Sequence, residues 1–136
     1  MYDKILVPMA LDHGISHQTL KAARALLSDG GQILVLHVFE VPKGALTPYL
    51  EESVLQDGIA AARKIMDEKT ADIGEVTTEI RRGHAYRNII DYAEEQGVDC
   101  IVIGSHKPNY SDYFIGSTAA RVVRHAPCAV HVHRDS

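Results

Sequence analysis

The chain has 136 residues, 46% hydrophobic and 24% charged, which suits one soluble domain spanning 1–136 around a single core. Its 14 basic and 18 acidic residues leave a net charge of −4, which argues against a duplex nucleic-acid binder, a class that needs a basic face. No apolar stretch approaches the roughly 18 residues of a membrane span, and "MYDKILVPMALD" lacks the long apolar run of a secretory signal.

"KILVPM" (4–9) is a continuous apolar run, the pattern of a strand buried on both faces. "ALDHGIS" follows as loop, and "HQTLKAARALLS" then sets Leu20, Ala23 and Leu27 at helical spacing, with Gly30 and Gly31 expected to stop the helix. "QILVLHVF" (32–39) reads as a second buried strand. After a loop with two prolines, Tyr49 to about Asp72 is an amphipathic helix whose middle Gly58 weakens. "EVTTEIRRG" (75–83) alternates and is β-branched, as in a half-exposed strand near an edge. "AYRNIIDYAEEQG" is a helix closed by Gly97, and "DCIVIG" (99–104) is the third buried apolar run. A helix over 117–126 stops before Pro127, and "CAVHVH" (128–133) is the last strand.

Strands that alternate with helices in this way predict an open parallel five-stranded sheet with helices on both faces. In such sheets ligands gather beyond the carboxyl ends of the strands, where the strand order reverses. The long polar stretch "GSHKPNYSDYFIGST" (104–118) leaves a strand end and enters a helix. Two readings of it stay open. Gly116 lets a phosphate approach the N–H groups of Ser117 and Thr118 at a positive helix end, or Ser117 is an ordinary helix cap. Neither G-x-x-x-x-G-K-[ST] nor G-x-G-x-x-G is present.

Other polar residues carry less. His13 and His17 have zinc-pair spacing but no evident third ligand. Cys128 points opposite to His131 and His133 on a strand, so the three do not easily close on one metal. His37 reads as a hydrogen-bonded core histidine. His106 is a potential acid or base without a nucleophile trio around it. Arg81 and Arg82 read as solvated rim charges, and Tyr110 and Tyr113 as anchors that pack the loop. Cys100 and Cys128 sit in apolar runs, as reduced thiols of a cytoplasmic protein would.

The motifs taken in order, "ILVP" (5–8), "LHV" (36–38), Gly83, "DCIVIGSH" (99–106), "GST" (116–118) and "VVRHAPCAVHVHR" (122–134), resemble those of the universal stress protein family across the whole chain. The resemblance implies sheet order 3-2-1-4-5, a homodimer through the fifth strand (about 128–133), and bound ATP or AMP, with Mg²⁺ as a phosphate-bound companion. Carried over by position, it puts Val38 backbone at the adenine edge and Pro8 beside the nucleoside. Gly104 falls near the ribose and phosphates, and Gly116, Ser117 and Thr118 hold the phosphates. Two positions depart from the family pattern. Ala10 replaces an acidic residue, with Asp12 two places later, and Lys107 replaces the loop's second glycine, where it offers a mobile cation. The implied function is a nucleotide-binding sensor or adaptor in the stress response, with an unknown protein partner and no evident catalytic residue. The other readings are a nucleotide-independent dimeric interaction module and a slow ATPase.

Overall fold

A computed structural model describes residues 1–10, 17–40, 48–105 and 116–134. The elements run β1 (Tyr2–Pro8), α1 (His17–Leu26), β2 (Leu27–Phe39), α2 (Pro48–Thr70), β3 (Thr77–Arg82), α3 (Ala85–Gln96), β4 (Cys100–Gly104), α4 (Ser117–His125) and β5 (Ala129–His133). All four strand pairings are parallel, and the sheet order is β3-β2-β1-β4-β5. This is the 3-2-1-4-5 order expected from the family resemblance.

The continuous apolar strands follow from burial on both faces. Successive side chains alternate across the sheet, so Leu6 joins Leu34, Leu36, Ile101 and Ile103 under Ile89, Tyr92 and Ala93 of α3 and Ala119 and Val122 of α4. Ile5 and Val7 face the opposite way, with Ile33, Val35, Cys100 and Val102, against Leu20 and Ala23 of α1 and Met66 of α2. The first two helices therefore cover one face and the last two the other. The strand order reverses between β1 and β4.

Two glycine readings change. Gly30 and Gly31 do not end the first helix. It ends at Leu26, whose carbonyl accepts the Met1 ammonium, and both glycines lie inside β2. There the register slips, from Tyr2 opposite Leu27 to Lys4 opposite Gln32. Gly30 takes φ 78°, and a Cβ on Gly31 would lie 2.9 Å from the Asp3 carbonyl oxygen, so a bulge replaces the expected stop. Gly58 in turn is a contact point for α2, since a Cβ there would come within 2.6 Å of the Phe39 ring. Gly97 closes α3 as expected, in the left-handed conformation at φ 65°. No helix among the described residues is long and apolar enough to cross a membrane.

Candidate functional site

The site is built by an interruption in the ladder at the carboxyl edge. Pairing between β1 and β4 consists of Ile5 with Cys100 and Leu6 with Ile101, and goes no further. Each strand nevertheless continues with its outer neighbour, β1 as far as Pro8 opposite Leu36 and β4 as far as Gly104 opposite His133. A crevice thus opens between β1 and β4, at the reversal of strand order where sheets of this class take ligands.

Pro8 is part of the cause. The Met9 N–H donates to the Leu36 carbonyl over 2.7 Å, so residue 9 faces β2. Backbone groups of consecutive strand residues point to opposite sides, and the missing N–H of Pro8 therefore faces β4. A proline tolerates this position because no ladder bond is needed there.

The same alternation places Val38. Leu36 turns its backbone groups toward β1, His37 toward β3, and Val38 again toward β1, past the end of the β1 ladder. A continued ladder would give the Met9 carbonyl to the Val38 N–H. The His37 ring takes that carbonyl instead, and Nδ1–H donates to it over 2.7 Å. A carbonyl only accepts, which fixes the proton on Nδ1. The reading of His37 as hydrogen-bonded holds, though it is half-buried rather than fully in the core, and the strand alternation turns the Val38 N–H toward the crevice mouth.

On the other wall, Ser105 is 4% exposed and its N–H donates to the His133 carbonyl over 3.1 Å. Its own carbonyl accepts the N–H of Gly116, which ties the start of α4 to the end of β4. A Cβ on Gly116 would lie 2.7 Å from that carbonyl oxygen. The glycine requirement at 116 thus arises within the chain itself and needs no phosphate to explain it. Gly116 rather than Ser117 is the N-cap, with φ −53° and ψ 150°, and Ser117 is the first helical residue. The first intrahelical bond runs from Ala120 N–H to the Gly116 carbonyl over 2.9 Å. The N–H groups of Ser117, Thr118 and Ala119 precede it and find no acceptor inside the helix, and among the described residues no side chain caps them. Gly104 differs from Gly116: among the described residues a Cβ there would meet only Thr19 Oγ1, at an ordinary 3.6 Å.

Pro8, Val38, Gly104, Gly116, Ser117 and Thr118 therefore gather at one edge of the sheet, and Ala10 follows exposed beyond β1. His106, Lys107, Tyr110, Tyr113, Asp12 and His13 lie outside the described residues. Arg81 and Arg82 stay at the solvent-facing rim, with side chains 30% and 42% exposed, and each is matched with a glutamate. Arg81 makes a two-pronged bond to Glu95 at 2.6 and 3.2 Å while lying 4.7 Å from the Tyr92 ring centre, and Arg82 reaches Glu52 at 3.4 Å. The hydrogen bond to Glu95 raises the Arg81 pKa, and the same bond lowers that of Glu95. Cys100 and Cys128 are free thiols, and burial pushes Cys100 up to about 11, far from a reactive thiolate. Among the described residues no three metal-binding side chains converge. His131 and His133 stack at 6.2 Å on one side of β5.

The model of the universal stress protein family matches residues 1–134. The chain belongs to the universal stress protein family. A universal stress protein of Methanothermobacter thermautotrophicus is 30% identical over 145 residues, covering 98% of this chain and 97% of the relative. The structure of a universal stress protein from Lactobacillus plantarum superposes with TM-score 0.80 at 27% identity, covering 98% of each chain. Two more distant structures share the fold. One, from Arabidopsis thaliana, has AMP bound (TM-score 0.65, 21% identity, 98% of this chain and 92% of that one). The other is a universal stress protein in complex with cAMP (TM-score 0.67, 18% identity, 99% of each chain).

Proposed function

We propose that this universal stress protein binds an adenine nucleotide, AMP or ATP, in the crevice between β1 and β4, and acts as a nucleotide-responsive sensor or adaptor. The observation that carries the reading is the Val38 N–H, which strand alternation turns toward β1 beyond the last β1–β2 pair, beside the Met9 carbonyl that the His37 ring bonds. A free backbone edge at a strand end suits a base, which offers a flat row of donors and acceptors. Pro8 would flank the nucleoside and Gly104 would pass close to the ribose. The N–H groups of Ser117 and Thr118, with their hydroxyls, would receive the phosphates at the positive end of α4. His106 and Lys107, in the connection between Ser105 and Gly116, would add polar contacts, and Mg²⁺ would accompany a triphosphate. The AMP-bound and cAMP-bound members support the ligand class. Free thiols at Cys100 and Cys128 fit a reducing cytoplasm.

A homodimer through β5 belongs to the same proposal. Ser105 N–H bonds the His133 carbonyl, so His133, His131 and Ala129 turn their backbone toward β4. Val130 and Val132 then turn theirs outward, along an edge with no neighbour in the sheet. A second copy paired antiparallel would satisfy that edge.

Titration calorimetry with AMP and ATP tests the nucleotide reading. Val38→Pro removes the N–H in question and leaves the β2–β3 ladder its bonds, because residue 38 faces away from β3. With folding checked by circular dichroism, the variant should bind AMP roughly tenfold more weakly or worse, the loss of one hydrogen bond plus the bulk of the ring. Wild-type affinity in Val38→Pro would remove the base from this edge. Absence of both AMP and ATP binding in the wild type would leave the interaction-module reading in its place.

A further inference from the structure

We propose a second anion site, apart from the crevice, in the groove between α3 and α4. Its ligand is a phosphate-class oxyanion. The groove holds about 420 Å³ and is lined by His84, Tyr86, Arg87 and Arg121, a volume that admits a phosphate and the group bearing it.

Four side chains converge on the Tyr86 ring. The guanidinium carbons of Arg121 and Arg87 lie 5.3 and 5.7 Å from its centre. The rings of His125 and His84 stand 6.0 and 6.3 Å away. Tyr86 itself packs on the core and is half-buried, so it is a fixed platform. A ring face attracts one cation, but two guanidinium groups held over the same ring repel each other.

The other arginines nearby are treated differently. Arg81 and Arg82 are each matched with a glutamate. Among the described residues no carboxylate pairs with Arg87 or Arg121. Of the acidic groups nearby, Glu40 is already committed, its Oε1 accepting the Ala85 N–H at the start of α3 over 3.2 Å, and Asp91, one helical turn beyond Arg87, is exposed and forms no ion pair among the described residues. His84 occupies the N-cap position of α3 without making a side-chain cap bond, so its imidazole remains available to the groove. In a chain of net charge −4 this is a local concentration of cationic groups that form no ion pair among the described residues. Guanidinium forks match the oxygens of a phosphate two at a time, and binding one would relieve the repulsion across Tyr86.

Two sources offer this chemistry: a free small phosphate, or a phosphorylated side chain of a protein partner. Inorganic pyrophosphate and an N-acetylated, amidated phosphoserine are the probes for the two. Each is titrated into the full chain while the side-chain N–H signals of its arginines are followed by NMR. At least one probe should move the Arg87 and Arg121 signals together, and the tighter binder identifies the source. Arg121→Gln should weaken that binding about tenfold, and the Arg87→Gln/Arg121→Gln double variant should abolish it. Arg124→Gln, which removes an exposed cation from the same helix, should change it little. AMP affinity should be the same in the double variant as in the wild type, which separates this site from the crevice whether or not the crevice binds. The proposal is overturned if neither probe shifts those signals at millimolar concentration, or if Arg124→Gln weakens binding as much as Arg121→Gln.

Discussion

The two ends of the sheet solve the same problem in opposite ways. At the amino edge the chain ties β1 to the start of β4 with its own hydrogen bonds. The Asp99 carboxylate accepts the N–H groups of Asp3 and Lys4, each at 3.0 Å, and the Asp99 N–H returns a bond to the Lys4 carbonyl at 3.0 Å. Lys4 Nζ closes the end of α3 by donating to the Gln96 carbonyl at 2.8 Å. At the carboxyl edge the same two strands stop pairing after Leu6 and Ile101, a proline stands where a donor would face β4, and the start of α4 is left without a side-chain cap among the described residues. Among the described residues one end is sealed and the other keeps unspent hydrogen-bonding capacity, which is what separates a scaffold from a site in this fold.

The contrast is drawn most sharply within the open end, between its two glycines. Gly116→Ala would push a Cβ to 2.7 Å from a backbone oxygen whose own position is held by the bond of Ser105 to β5. It should lower stability by about 1–3 kcal/mol, the usual cost of overpacking, as read from the midpoint of urea unfolding. Among the described residues Gly104→Ala meets only an ordinary contact with Thr19. It should leave that midpoint nearly unchanged and weaken AMP, because the added methyl stands where the ribose would approach. If both variants unfold alike, the described contacts do not account for Gly116; if Gly104→Ala binds AMP like the wild type, the ligand does not pass that strand end.

The sealed end can be broken at Asp99. Asp99→Ala strands two backbone donors and should cost about 1–2 kcal/mol, without altering AMP affinity at the far edge. The pH dependence has a fixed sign. Burial alone would raise the Asp99 pKa, but the N–H bonds from Asp3 and Lys4 help bring it below the ordinary aspartate value. A carboxylate depressed on folding contributes its full stabilisation above the unfolded value, about pH 3.9, and loses it as pH falls through the lower folded value. The wild type should therefore lose stability across that acidic window more steeply than Asp99→Ala does. Parallel acid-denaturation curves for the two would show that the carboxylate does not seal the edge.

The free side of β5 gives a third comparison, between residues of one strand. Val130 turns its N–H outward and His131 turns its own toward β4. Val130→Pro should weaken a dimer by roughly tenfold while sparing the β4–β5 ladder, seen by sedimentation as a shift toward monomer. A wild type that sediments as monomer at micromolar concentration would end the dimer proposal.

Much of this was legible in the residues. Buried runs such as "KILVPM" and "DCIVIG" mark central strands because both faces are covered, and Gly97 marks a helix end because its left-handed backbone favours glycine. Gly30 and Gly31 misled, since a bulge and a helix stop demand the same residue and only the pairing of Tyr2 with Leu27 distinguishes them. The helix after Gly116 was legible, but its cap was not, because Ser117 has the right chemistry one position too late. His37 was legible as a bonded histidine, whereas its partner, the Met9 carbonyl just past the end of β1, depends on register. The grouping of Tyr86 with Arg121 had no sequence signal, being a contact between two helices that a strand separates in the chain.

Ser117 offers the finest test of the division between scaffold and site. Ser117 is the first residue inside α4 rather than its cap, so its hydroxyl does not stand at the position from which a side chain caps a helix. Alanine is also the better helix former. Ser117→Ala should therefore leave stability unchanged or raise it slightly. If the nucleotide phosphates sit on the start of α4, the lost hydroxyl bond should cost about 0.5–1.5 kcal/mol of affinity, roughly two- to tenfold, because the backbone N–H groups of residues 117 and 118 remain in place. Calorimetric titration of AMP into this variant and the wild type reads the difference, and unfolding curves supply the control. A loss of stability with unchanged AMP affinity would return Ser117 to the scaffold and move the phosphates away from the helix start.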